Sequence, residues 1–294
     1  MICSVNPEVA QVIGAHSAAG RRFEAEGVTS FAREQGEGPT VVLVHGVPAS
    51  SFVYRKVIAE LADQGLHAVA IDFPGLGLAD RPREFDYSWS GLSRWLGQAI
   101  DALGLDRVHL VVHDIGGPIG CEWAVRNPAR TLSITALNTI LDPTDFRRPW
   151  TMRPFAVPGL GELWLRATPA ALFAALFRLQ GLGDPRAMTR AEIDAYRVLL
   201  LRADRGRAFL RIMRSFELTE EKRRLLSEGL AERPYPARIV WGERDPALGI
   251  DQLRNTQRTL GLADAVLLPS KHFLQEDQPR AVAAAIADLV APLG

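Results

Sequence analysis

The sequence predicts an α/β protein: a mostly parallel sheet flanked by helices, with a helical segment inserted between its two parts. Three observations carry that expectation. From residue 40 onward, short β-branched runs alternate with longer amphipathic stretches, as a buried parallel sheet with crossover helices requires. Between residues 142 and 234 the alternation stops and helix-periodic segments follow one another with no clear strand. It then resumes and runs to the C-terminus.

Taken in order, residues 9–35 read as antiparallel edge strands, with Gly36-Glu37-Gly38 as the turn into the core. Residues 41–44 form a buried strand ending in His45-Gly46; a helix over 52–63 and a strand over 68–72 follow. Residues 89–103 place Leu92, Trp95, Leu96, Ile100 and Leu103 at helical spacing. A strand over 108–112 runs without a real loop into a helix over 115–126, and 132–137 is the next strand. Pro143, Pro149, Pro154 and Pro158 keep the start of the inserted segment irregular. Helices then follow over 161–179 (interrupted near Pro169), 189–201, 206–216 and 219–230, and Thr189 with Glu192 forms a capping box. A strand over 238–241, a helix over 249–260, a strand over 265–268 and a helix over 279–290 complete the chain. The expected division is a core in two parts, 1–141 and 235–294, with a cap over 142–234.

Composition narrows the function classes. The 34 basic residues are matched by 34 acidic ones, so no electrostatic footprint for nucleic acid or an anionic membrane exists. The two cysteines, Cys3 and Cys121, do not make a disulfide framework, and a reducing compartment is the expectation. Residues 1–20 lack a basic, then apolar, then small-residue leader pattern. The richest apolar stretch, 160–179, carries Glu162, Arg166, Pro169 and Arg178 and reads as protein-facing helix. A cytoplasmic enzyme, monomer or homodimer, is expected.

Three segments carry the chemistry. In Val111-Val112-His113-Asp114-Ile115-Gly116-Gly117 a buried strand turns straight into a helix, the arrangement that projects a nucleophile over the carboxyl edge of a sheet. The elbow of the α/β-hydrolase fold holds serine there; here the residue is Asp114, and Val112 replaces the leading glycine. Asp245 follows the strand 238–241, where an orienting carboxylate belongs, and His272 lies in the loop after the last strand. The order nucleophile, acid, histidine suits this fold. A serine attacking a saturated carbon would leave an ether, whereas a carboxylate leaves an ester that histidine-activated water can cleave. Asp114 therefore points to an electrophilic sp³ carbon, with His272 as base, Asp245 fixing its tautomer, and no cofactor. His45-Gly46-Val47-Pro48 follows the first core strand, so the amides of Val47 and Ile115 converge as oxyanion donors. Phe273, beside the base, is a candidate pocket residue. His45 and His113 read as structural histidines.

Segments 45–55 (HGVPASSFVYR), 72–82 (DFPGLGLADRP), 113–117 (HDIGG) and 272–277 (HFLQED) resemble those of haloalkane dehalogenases and epoxide hydrolases, and the likeness runs from Arg33 onward, cap included. It implies cleavage of a carbon–halogen bond in a small hydrophobic substrate, with water as co-substrate; the alternative is epoxide opening. The family's halide is held by two side-chain N–H donors. Here Ile115 stands where a tryptophan is usual and Val47 where an asparagine is usual, leaving Trp164 as the cap donor the resemblance suggests. For an epoxide, a pair of cap tyrosines supplies the proton. Tyr196 matches one, and Met213 occupies the place of the other. Some dehalogenases draw the acid from the region of Asn138; an amide cannot fill that role. Two further readings stay open: a ligand-binding protein or a biosynthetic lyase or isomerase on the same fold.

Overall fold

The computed structural model describes residues 6–293. Cys3 and part of the leader region discussed above lie outside the described residues; Cys121 is a buried free thiol. The chain opens with helix α1 (Pro7–Ala18), not with a strand. This corrects the reading of residues 9–35 as edge strands throughout. Asn6 caps the helix by accepting from the Glu8 amide, Pro7 occupies its first turn, and Val9, Val12, Ile13 and His16 recur at helical spacing. Strands β1 (Gly20–Ala25) and β2 (Val28–Gln35) do form the expected antiparallel edge.

Strand β3 (Thr40–Val44), helix α2 (Arg55–Ala62), strand β4 (His67–Ile71), helix α3 (Trp89–Ala102), strand β5 (Val108–Asp114), helix α4 (Gly116–Arg126) and strand β6 (Thr131–Thr139) build the first half of the core. The second half is β7 (Ala237–Gly242), after the inserted helices. The eight strands lie in the order β1-β2-β4-β3-β5-β6-β7-β8, where β8 is Val266–Leu268, and every pairing from β4 to β8 is parallel. All seven residues of β5 are buried, as a central strand covered on both faces must be. Because these strands are parallel, the segments leaving β3, β5, β7 and β8 emerge at one edge of the sheet. That shared edge is what brings residues 47, 114, 245 and 272 within reach of one another.

Between β6 and β7 lie α5 (Leu160–Ala167), α6 (Ala170–Gly181), α7 (Arg190–Leu201), α8 (Arg207–Arg214) and α9 (Glu220–Ala231). Helices α5 and α6 are apolar together but bend by 99° at their junction, and no single helix among the described residues is long and apolar enough to cross a membrane. Helix α7 carries the expected capping box, with Thr189 Oγ1 accepting from the Glu192 amide and Glu192 Oε2 accepting from Thr189 N–H. Helix α9 differs from its neighbours. It packs on α4 and on α10 (Ile250–Leu260), and its buried Lys222 pairs with Glu122 of α4. The last helix expected of the cap thus belongs by contact to the core. The chain ends in the short α11 (Leu274–Asp277) and in α12 (Pro279–Val290), which packs on α2.

Candidate active site

Asp114 ends β5 at φ +54°, a left-handed conformation that costs a non-glycine residue roughly 1–2 kcal/mol. Its surroundings hold it there. Thr139 Oγ1 donates to its carbonyl at 2.6 Å, and the Val47 amide donates to Oδ1 at 2.9 Å. Glycine is demanded at two contacts: a Cβ at position 46 would fall on the Asp114 carboxylate, and one at position 117 on the Thr139 hydroxyl. The sharp turn and the tight entry of α4 are therefore one packing unit.

His272 lies across from this carboxylate, with Nε2 3.7 Å from Asp114 Oδ2. Its Nδ1 donates to Asp245 Oδ2 at 2.9 Å, which turns the Nε2 lone pair toward Asp114. Asp245 is fully engaged. Oδ1 accepts the amides of Ala247 and Leu248 at 2.7 and 3.0 Å, and Oδ2 also accepts Asn138 Nδ2 at 2.7 Å. Asn138 is locked in turn by the Gly242 amide on its Oδ1. The structure thus brings Asp114, His272, Asp245 and Val47 together, and adds Asn138, a brace that sequence reasoning set aside. The signal for it is an amide side chain one residue before the end of β6, next to the strand that leads to Asp245.

The electrostatics are coupled. Burial raises the Asp114 pKa above its ordinary value, opposed by His272 and by the Val47 and Ile115 amides. Burial pushes His272 down, but Asp245 and then Asp114 outweigh it and the imidazole ends above the ordinary histidine value. His113 lies directly beneath, its ring centroid 4.7 Å from that of His272. Burial holds it neutral, and its Nε2–H donates to the His272 carbonyl at 2.9 Å. His45, also neutral through burial, donates from Nδ1 to the Gly46 carbonyl and accepts the Phe73 amide at Nε2. Both histidines brace loops.

Above the carboxylate opens a largely apolar cavity. Trp164, Met213 and Phe273 line it, as does Phe177, which stacks on Phe273 with centroids 4.7 Å apart. Tyr196 does not. It is buried behind Phe177 and Phe273, and its hydroxyl donates to Glu276 Oε1 at 2.6 Å. The expectation that Tyr196 lines the pocket is corrected: Glu276 is buried and also holds Arg55 and Lys56, and this charged cluster draws the phenol away from the cavity. Among the described residues, Trp164 Nε1 has no hydrogen-bond partner.

Residues 39–279 match the family model described as alpha/beta hydrolase fold. The chain is 32% identical over 273 residues to haloalkane dehalogenase 2 of Mycobacterium tuberculosis, covering 87% of this chain and 89% of that one. It is 28% identical over 270 residues to a haloalkane dehalogenase of Psychrobacter cryohalolentis, covering 86% and 85%. Among solved structures, a haloalkane dehalogenase of Bradyrhizobium elkani superposes with TM-score 0.75 at 24% identity over 93% of this chain and 99% of that one. An epoxide hydrolase of Vigna radiata superposes with TM-score 0.78 at 20% identity over 93% and 97%. With Asp114, Asp245 and His272 at one sheet edge beneath a helical roof, the chain belongs to the α/β-hydrolase fold family, among the relatives of haloalkane dehalogenases.

Proposed function

We propose that the protein is a cofactor-independent hydrolase that cleaves carbon–halogen bonds through an aspartyl-ester intermediate. The observation that carries this is the Asp114 carboxylate on the wall of an apolar cavity, held at Oδ1 by the Val47 amide with Oδ2 3.7 Å from His272 Nε2. Oδ2 attacks the sp³ carbon, the carbon–halogen bond breaks, and halide leaves with the electron pair. His272 Nε2 then takes a proton from water, and the hydroxide adds to the ester carbonyl carbon of Asp114. The amides of Val47 and Ile115 stabilise the resulting oxyanion. On collapse the imidazolium gives its proton to the departing alkoxide, which leaves as the alcohol, and the acid so formed loses its proton to water, restoring the Asp114 carboxylate. Asp245 holds the imidazolium through its short contact at Nδ1.

The curated relatives support halide over epoxide as leaving group, and so does the roof. Trp164 lines the cavity and carries an indole N–H, the kind of donor a leaving halide needs, whereas Tyr196, the cap tyrosine an epoxide would need, is committed to Glu276. The test is intact-mass spectrometry of His272→Ala incubated with 1-bromohexane and, separately, with styrene oxide. Without the base the ester accumulates, and the expected result is a mass gain of one hexyl group from the bromide alone. Adduct from the oxide alone reverses the assignment; adduct from neither sinks the covalent mechanism.

A further inference from the structure

Two arginines, Arg148 and Arg197, line the cavity in an otherwise mostly apolar wall. Among the described residues neither is paired with a carboxylate. Arg148 is the more constrained. Its Nη2 donates to the Met213 carbonyl at 2.9 Å, and its guanidinium carbon lies 4.7 Å from the centroid of the Phe216 ring. Its Nε is buried without a hydrogen-bond partner. Burial lowers its pKa. An arginine that meets a pocket with one side chain N–H buried and unanswered, and with no counter-ion, is a costly element unless something else supplies the negative charge. The planar fork of a guanidinium matches a carboxylate.

We propose that the substrate is a halogenated carboxylic acid with the electrophilic carbon and the carboxylate at opposite ends of an alkyl chain, the carboxylate docking on Arg148. The inference rests on the reading of Asp114 above. The carboxylate takes no part in bond making; it sets which molecules enter and in which direction. Arg197, the second arginine of the wall, donates from Nη2 to the Thr168 carbonyl at 3.5 Å.

Two measurements separate this inference from the mechanism beneath it. In His272→Ala, the rate of ester formation is compared for 6-bromohexanoate and 1-bromohexane. A charge-assisted contact of ordinary strength makes the acid faster by about tenfold or more. In the double variant with Arg148→Gln the ratio of the two rates falls to about one, and thermal melting reports an intact fold. Equal rates in His272→Ala, or a preference that survives Arg148→Gln, overturn the inference and leave the mechanism standing. If neither bromide forms an ester, the mechanism falls, and the otherwise unaltered enzyme decides the remaining question with unreactive ligands. Hexanoate and 1-hexanol are titrated by intrinsic fluorescence, with Trp164 on the wall as reporter. Tighter binding of hexanoate that is lost in Arg148→Gln supports the anion site; equal binding in both proteins removes it.

Discussion

On the floor of the pocket, Asp114, His272 and Asp245 hang from strand ends, and each is fixed by at least one hydrogen bond or close charge contact to a buried neighbour. On the roof, Trp164, Phe177 and Met213 reach the same cavity from α5, α6 and α8, and among the described residues their side chains are placed by packing alone. The floor is built for position and the roof for shape. A substitution on the floor disturbs a chain of mutually satisfied polar groups, where effects are large and non-additive. A substitution on the roof changes what the chemistry is offered.

The floor breaks hardest at Asp245. Asp245→Asn removes the charge that raises the His272 pKa and leaves an amide that cannot dictate the same tautomer. Ester hydrolysis is expected to slow by about 10³- to 10⁴-fold, in line with loss of the orienting acid in other triads. The sign of the pH effect follows from the charges. The base works as neutral imidazole, so hydrolysis is lost as pH falls through its pKa; with Asp245 gone that pKa drops, and the acid limb moves to lower pH. Decay of the ester in single-turnover mass spectrometry across pH measures both. An unmoved limb with a rate within about tenfold of the parent removes Asp245 from the role.

The same contrast explains what was legible in the sequence. Floor residues sit at the ends of strands whose β-branched runs are short and unambiguous, so a parallel sheet carries Val47, Asp114, Asp245 and His272 to one edge once the strands are recognised. Roof residues depend on how helices rotate against one another, which local periodicity does not encode. Tyr196 is the instructive case. Its helix was visible from the capping box at Thr189, but not the burial of Glu276 that turns the phenol away from the cavity. Residues 7–18 failed for another reason: Asn6 and Pro7 announce a helix start, yet a run of apolar residues before two real strands invites being merged with them. Asn138 reads from the sequence only as the absence of a carboxylate, because its bond to Asp245 depends on the pairing of β6 with β7.

On the roof, Trp164→Phe keeps an aromatic wall and removes the unengaged N–H. If Trp164 is the single donor to developing halide charge, its loss lowers kcat/KM for 1-bromohexane by about 10- to 100-fold. Steady-state halide release measures this. A loss that falls in KM alone, with kcat unchanged, means that Trp164 only shapes the cavity and that leaving-group stabilisation comes from elsewhere.

Tyr196→Phe is the mildest change and the sharpest on the roof, because it separates packing from chemistry. The phenylalanine ring preserves the contacts with Phe177 and Phe273, and Glu276 keeps Arg55 and Lys56 as partners. One hydrogen bond to a charged acceptor is lost, worth about 1.5–3 kcal/mol, or several degrees in Tm for a chain of this length. Turnover of 1-bromohexane is expected to stay within about threefold, since the hydroxyl does not face the cavity. Thermal melting and halide release together give the answer. Unchanged melting with abolished turnover of an epoxide places the hydroxyl at the substrate during reaction, and the assignment of leaving group then passes from halide to alkoxide.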